Sequence, residues 1–425
     1  MSPSRLLFVA ACAAALLLSG CGNSSNDNAN VRALNLISGT GGVNITANDT
    51  PIMTNGTFEG LTGYTGVSSG NQEIKATIAG SPGAFVDNVY SLSSSTDFTF
   101  ITTGVAGASG GILIADPFGS PGNQVAFRVL NLSTAAPSLD VYLTTPGADL
   151  ATATPIVVAA VYGLVTAFTN TDGGNLELRM TTTATKDLVY DAPVNLPPGT
   201  GQTVVAYGRG SSKLVNAEIL TSGTTGGVVN SVLAQLKAAN GSSIAAPLNV
   251  LVDGAPVISN LAFGGVSPYQ TIPAGVRQVT VESSATPGAP LLSLSPDFVP
   301  ATDSSIGLSG GSGSLTALVL ADSNPIVGVA LASLRVVNLS PDFAAVDVYA
   351  NFARLASGVS ANAASAYTLV AAASVGTPYQ FDFNLAGTTS VVLHVTGLTV
   401  TSGHVYTLYL MGSGSTLTGV LSQDR

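Results

Sequence analysis

Cysteine and histidine are close to absent. The 425-residue chain has two cysteines, Cys12 and Cys21, and two histidines, His394 and His404. Everything beyond residue 21 therefore lacks disulfides and thiolate metal sites, and its stability must come from ordinary apolar cores. The same shortage excludes a zinc centre or a Cys/His nucleophile pair, and each lone histidine reads as a structural or solvated side chain. Charge is scarce too. Lys, Arg, Asp and Glu make up 8% of the residues and the net charge is −10, with 13 basic side chains against 23 acidic ones. A basic surface for nucleic acid or anionic lipid head groups is not expected from such a balance. The apolar run Leu6 to Leu18 falls short of the about 20 residues that a permanent membrane-spanning helix needs, and no long apolar segment follows it. What is abundant is glycine, with 48 residues, and short runs of Val, Ala, Leu and Ile within a 46% hydrophobic composition. That is the pattern of an exported β protein. The length implies several cores, because a single core stops growing at about 250–300 residues.

The first thirty residues have the order of an export signal: Arg5, the apolar run, then Leu18-Ser19-Gly20-Cys21. The small residues before Cys21 match the lipobox of bacterial lipoproteins, so residues 1–20 are expected to be a cleaved signal peptide and Cys21 the lipidated new N-terminus. Cleavage at the weaker motif Val9-Ala10-Ala11-Cys12 would strand Leu16 to Leu18 on the mature chain. Gly22 rather than aspartate follows Cys21, which in a host with two membranes points to the outer membrane. Residues 21–30, rich in Ser, Asn and Gly, read as a lipidated flexible tether.

Beyond the tether the chain repeats itself. Four segments open alike, with Arg32, Arg128, Lys237 and Arg335 at spacings of 96, 109 and 98 residues. Twelve residues after each comes a short polar side chain inside an alternating strand: Asn44, Asp140, Asn249 and Asp347. An aromatic follows at offset 32 in three copies, as Tyr64, Tyr269 and Tyr367, and at offset 40 as Phe168 in the second, which implies an insertion of eight residues there. Period-two alternation puts Leu139, Val141 and Leu143 on a core face and Asp140 and Tyr142 on the other, and treats Val346, Val348 and Ala350 against Asp347 and Tyr349 in the same way. About seven short strands per hundred residues, separated by turns such as Pro197-Pro198-Gly199 and Pro273-Ala274-Gly275, predict an all-β chain of four tandem immunoglobulin-like antiparallel β-sandwich domains. Their expected bounds are 31–122, 123–224, 225–330 (the divergent copy) and 331–425.

The stretch Phe263-Gly264-Gly265-Val266-Ser267-Pro268-Tyr269, followed by Ile272-Pro273-Ala274-Gly275, resembles the bacterial domain of unknown function 4397. So do the openings Arg128-Val129-Leu130-Asn131-Leu132-Ser133 and Arg335-Val336-Val337-Asn338-Leu339-Ser340-Pro341, with their Asp-Val-Tyr strands. The resemblance is good in copies two and four, partial in copy three and weakest in copy one. It implies exported β-sandwich modules, often in tandem, and brings no activity or functional residues with it.

Chemistry is thin. Gly107-Ala108-Ser109-Gly110-Gly111 has the spacing of a hydrolase nucleophile elbow, but the strand-like Ile112-Leu113-Ile114-Ala115 follows where that elbow needs a helix, so it reads as a hairpin loop. Asp172-Gly173-Gly174-Asn175 and Asp322-Ser323-Asn324 are candidate calcium loops, poor in carboxylate for a cation that takes about six to eight oxygens. No other cofactor is expected. The recurring pairs Arg32/Asn44, Arg128/Asp140, Lys237/Asn249 and Arg335/Asp347 are expected to be structural, with the first and second strands placing basic beside polar to fix register. Tyr142 and Tyr349 are candidates for an exposed aromatic surface that binds a sugar or a protein, or for cover over the sandwich edge. The expected function is non-enzymatic: a spacer or binding array whose partner is a glycan, the cell wall or an envelope protein. A carboxylate-dependent glycan-active enzyme, drawing on Glu177, Asp187 or Glu282, and a purely structural stalk are the alternatives.

Overall fold

The computed structural model describes residues 28–105, 108–210, 212–324 and 327–425. The expected signal peptide and Cys21 lie outside the described residues.

Four units follow one another, each a sandwich of two sheets. In the first, the opening strand Asn28–Ser38 is central in its sheet. Gly60–Leu61 and Thr65–Ser68 flank it antiparallel, and Asp97–Val105 runs parallel to it before turning back into Ala108–Ala115. The facing sheet has the order Thr50–Gly56, Val43–Ala47, Gly70–Ile78, Ala84–Leu92. The plan recurs with opening strands Val125–Asn131, Leu233–Asn240 and Leu331–Asn338, lying parallel to Gly201–Tyr207, Asp303–Ser309 and Val405–Met411 respectively. Each unit buries its own core, for example Ala332, Leu334 and Val336 of the opening strand against Val346, Val348, Phe381 and Phe383 of the other sheet in unit four.

The all-β architecture of four tandem sandwiches is as expected, with three differences. The sandwiches are not purely antiparallel, because the first strand of each unit pairs in parallel with a strand near its end, the next-to-last in units one, three and four and the third from last in unit two. A parallel pair needs a long crossover, and here the intervening strands of the unit supply it. The tether is shorter than expected: Asn28, Ala29 and Asn30 are already strand, paired with Ser68, Val67 and Gly66, and Asn30 donates to the Asp97 carboxylate at 2.8 Å. Unit two runs past residue 224, since Gly226–Val229 pairs with Asn216–Thr221.

The residue at offset 12 has one role in all four units, and it is not to meet the basic side chain. The second strand belongs to the other sheet, so Arg335 and Asp347 project from opposite outer faces of one sandwich, and the same holds for Arg32/Asn44, Arg128/Asp140 and Lys237/Asn249. The expected register pairs are therefore not formed. Instead each polar side chain accepts the backbone N–H of a bulged residue on the neighbouring edge strand: Asn55, Ala159, Asn260 and Gly358, at 2.7, 2.8, 2.9 and 2.7 Å. All four bulge residues have positive φ, from 49° to 62°, which is unfavourable outside glycine and asparagine and needs such a clamp. The sequence separation is 11 residues in three units and 19 in unit two, so the eight-residue insertion lies between clamp and bulge. Gly358 and Gly387 both donate to Asp347, and these bonds hold its carboxyl below the ordinary range. Asp347→Ala is expected to lower stability by about 1–3 kcal/mol. Asp347→Asn, able to keep one bond, should lose less, and urea titration of both variants checks this.

A second residue ties the sheets together. Asn35, Asn131, Asn240 and Asn338 are fully buried. Each donates to the carbonyl just past the bulge, that of Gly56, Ala160, Leu261 and Val359, and accepts the N–H two residues on.

Candidate functional site at the joints between sandwiches

Strands buried on both faces cannot belong to free-standing sandwiches. Val125–Asn131, Gly201–Tyr207, Asp303–Ser309 and Val405–Met411 are buried at every position, because the units pack in pairs, sheet face on sheet face. Leu34, Leu36, Ile101 and Ile114 of unit one meet Leu130, Leu132, Val205, Tyr207 and Leu220 of unit two in a core of their own. Ala239 of unit three meets Val337, Leu339, Tyr409 and Met411 of unit four. The second joint is tight enough that a Cβ on Gly307 would lie 2.7 Å from the Leu339 side chain, closer than side-chain atoms pack.

Inside each joint the repeated basic residue is buried. Arg32, Arg128 and Arg335 each donate Nε to the hydroxyl of the residue beside them on the parallel strand, Thr99, Thr203 and Thr407, at 2.8 Å; Ser305 stands beside Lys237. Over each cation lies the aromatic of the fixed offset: Tyr64, Phe168, Tyr269 and Tyr367, 4.3–5.0 Å from charge to ring centre. A desolvated cation on a ring face gains about 2 kcal/mol. The basic and aromatic positions visible in the sequence are thus partners of each other.

The counter-charge comes from the end of the strand that returns antiparallel to the parallel one, two residues past the position paired with the hydroxyl: Asp116, Asp322 and Asp424, with Ser222 in unit two. In the second pair the exchange is reciprocal. Lys237 of unit three reaches Asp424 of unit four, and Arg335 of unit four reaches Asp322 of unit three. Burial works against the Arg335 charge, but Asp322 and its neighbours raise the guanidinium above its usual range. In the first pair Arg128 lies 3.6 Å from Asp116 and donates to the Ala115 carbonyl at 2.7 Å. Arg32 lies 3.5 Å from the same Asp116, in its own unit, and donates across the joint to the Thr221 and Thr224 carbonyls at 3.1 and 2.8 Å, where unit two offers Ser222 in place of an aspartate. Glu218, 1% exposed, also enters this joint at a position that is Ile112, Leu318 and Val420 elsewhere. Burial, aided by Glu59, pushes its carboxyl up to about 8.

The two pairs meet end to end at Asp303. This buried carboxylate accepts from Ser212 of unit two, Asn324 of unit three and Arg425 of unit four at 2.7, 2.8 and 2.7 Å.

The outer faces of the other sheets carry what differs between units. Unit two has Tyr142, Arg179 and Asp191 in one cross-strand row, with Glu177 diagonal to Asp191. Unit one has Thr46, Lys75 and Asp87, with Glu73 beside them, and unit four has Tyr349, Asp382 and His394. Burial and the neighbouring Glu177 push Asp191 up to about 6. Of the two readings of Tyr142, exposed surface or cover, the structure shows a covered ring: it is 1% exposed, with the Lys186 ammonium 5.7 Å from its ring centre. Lys186 also donates to the carbonyls of Leu150, Ala151 and Ala153, so the insertion of unit two is held beside this face. Tyr349, in a unit without the insertion, is half-buried.

Other candidates resolve simply. Asp322 is engaged by Arg335, Tyr269 and Ser305, and Asn324 by Asp303 and Tyr269, so that loop is not a cation site. Among the described residues no three His, Cys, Asp or Glu side chains gather as a metal cluster. Ser109 sits in a β-hairpin opposite Gly104 with strand on both sides; Gly107 lies outside the described residues. His394 pairs with Asp382 at the surface, and His404 bonds the Ser402 carbonyl. Glu177 and Asp187 do not form a pair: Glu177 accepts from Gly147, Asp187 from Thr185.

The fold defines a class, tandem β-sandwich modules joined face to face by a buried cation layer. The family is given by a family model described as Domain of unknown function (DUF4397), which matches residues 29–142, 234–342 and 332–425. The chain belongs to that family. The match covers unit one, where the resemblance was weakest, and stops in unit two at Tyr142, just before the insertion, although the opening of that unit carries the motif well. No curated protein matches. Among solved structures, the Bacillus anthracis TIE protein is 10% identical, over 87% of this chain and 66% of that one, with a TM-score of 0.16. The central fibronectin-III array of RIM-binding protein is 14% identical, over 63% and 88%, with a TM-score of 0.12. Neither superposes well enough to carry an argument.

Proposed function

We propose that this chain is a lipid-anchored, extracytoplasmic, non-enzymatic protein of the cell envelope, a stiff spacer whose outer faces bind a glycan, the cell wall or another envelope protein. The observation that carries the reading is the use of the repeated polar residues. Arginine, aromatic, asparagine and aspartate recur because they hold joints, sheets and bulges, while the outer-face rows change from unit to unit. Shared scaffold with varied faces suits a binding array, and two shared cores make a stiffer body than four sandwiches on linkers. The anchor rests on the Leu18-Ser19-Gly20-Cys21 motif, and the same reading places the protein at the outer membrane of a host that has two.

Thermal unfolding of the chain from Gly22 onward, across a panel of envelope glycans and with calcium, tests binding. A ligand of the folded state raises stability by about RT ln(1 + [L]/Kd). An upward shift for one glycan class, abolished by substitutions in one outer-face row, supports the reading. Turnover of any glycan in the panel would replace it with the enzyme alternative. Palmitate labelling should vanish in Cys21→Ala, and label that persists would rule out Cys21 as the anchoring site.

A further inference from the structure

We propose that Lys237 of unit three and Asp424 of unit four condense to an amide, an isopeptide bond that fastens the second joint covalently. Of the four repeated basic positions three are arginine, and unit three alone has lysine. A guanidinium stays protonated in a protein, whereas a buried amine releases its proton readily and is then a nucleophile. Arg335, which reaches Asp322 in the same joint, is therefore the unreactive counterpart of Lys237. The Lys237 side chain is 2% exposed and that of Asp424 0%, while the other lysine ion pair among the described residues, Lys75 with Glu73, is open to solvent. Burial disfavours both charges of such a pair, and one proton passed from the ammonium to the carboxylate leaves a neutral amine facing a neutral acid. Burial is also the largest influence on the Asp424 carboxyl and raises it above its ordinary range.

The ion pair is the state from which the bond forms. Nζ adds to Cγ of Asp424, and the charge that develops on Oδ2 meets the Thr407 hydroxyl, which donates to that oxygen. Arg335 donates Nε to the same hydroxyl at 2.8 Å, so a guanidinium stands behind the donor that faces the developing charge. Oδ1, the oxygen that faces Nζ, receives two of the three ammonium protons, the Cγ–Oδ1 bond breaks, and water leaves; the third proton stays on the amide nitrogen. Nothing is oxidised or reduced, and no second reactant is needed. Well-oriented groups within one molecule reach effective concentrations of about 10⁵–10⁸ M, and the Tyr269 ring, its centre 5.0 Å from Nζ, covers the amine. The product closes a loop from the opening strand of unit three to the residue after the last strand of unit four, 187 positions away. A chain with no cysteine beyond Cys21 thereby gains a tie that neither reduction nor unfolding opens.

All described cores lie within residues 28–425, so the chain from Gly22 onward keeps the fold. The intact mass of this form, measured after denaturation, is expected to be one water below that of its sequence. Digestion with trypsin is expected to leave the chain uncut after Lys237 and to give one branched peptide joining Lys237 to Asp424. Lys237→Arg, which installs the residue of the other three units and keeps the positive charge, is expected to show the full mass, as is Asp424→Ala. The full mass in the wild-type protein, after long incubation at neutral pH, overturns the proposal and leaves an ordinary buried ion pair. So does a water lost without the branched peptide, as a cyclic imide at some other aspartate would give, or a loss that persists in Lys237→Arg. If the variants do not fold, the mass and the branched peptide of the wild-type protein decide alone.

Discussion

Asp322→Ala is expected to lower stability by about 3–5 kcal/mol and to split the unfolding of units three and four into separate transitions. The carboxylate receives Arg335, the Tyr269 hydroxyl and Ser305; Arg335 and Ser305 are buried and Tyr269 is half-buried. Its loss strands a buried guanidinium and two polar donors, and an uncompensated buried charge is the costly outcome, whereas the intact pair itself adds little net stability. Replacing both partners with apolar side chains, as Arg335→Met/Asp322→Leu, is therefore expected to recover most of the loss. The surface pair His394–Asp382 provides the contrast: it is solvent-exposed on the histidine side, and His394→Ala should cost no more than about 1 kcal/mol. Urea titration followed by fluorescence and circular dichroism separates these outcomes. A double variant as unstable as Asp322→Ala would show that packing at the joint, not charge, is what the aspartate maintains.

The second large effect concerns pH and the first joint. Glu218 titrates near its ordinary 4.5 when unfolded and is pushed up to about 8 by burial when folded. Between these values the folded protein holds a proton that the unfolded chain releases, so stability falls as pH rises through about 4.5 to 8 and levels off above. The slope contributed by one such group is about 1.4 kcal/mol per pH unit at most, several kcal/mol across the window. Glu218→Gln, which keeps the shape without the titration, is expected to flatten the profile and to raise the unfolding midpoint of the wild-type protein most at pH 8. Superimposable profiles for the two proteins would rule Glu218 out as the source. The second pair has Leu318 and Val420 at the matching positions, so Glu218→Gln should leave the pH profile of that pair's own unfolding unchanged, including any part that comes from the Asp424 carboxyl, which burial also raises.

The sequence by itself determined the repeat, the all-β class, the strand alternation and which positions matter. The offsets from Arg335 to Asp347 and Tyr367 are set by local spacing within one unit, and the eight-residue insertion in unit two was countable from Phe168. The tertiary structure decided what those positions do. Asp347 clamps a bulge in its own sheet, which no spacing to the arginine reveals. Arg335 finds its carboxylate in Asp322 of the preceding unit, and Lys237 finds Asp424, 187 residues away; such distances follow from pairing between units, and nothing periodic along the chain encodes it. Burial of Tyr142 likewise depends on neighbours contributed by Lys186 and the insertion rather than on its own strand. Alternation reports which face a side chain takes, because that is fixed by the backbone of one strand. Whether the face is then wet or covered depends on what packs against it, and only the assembled sandwiches decide that.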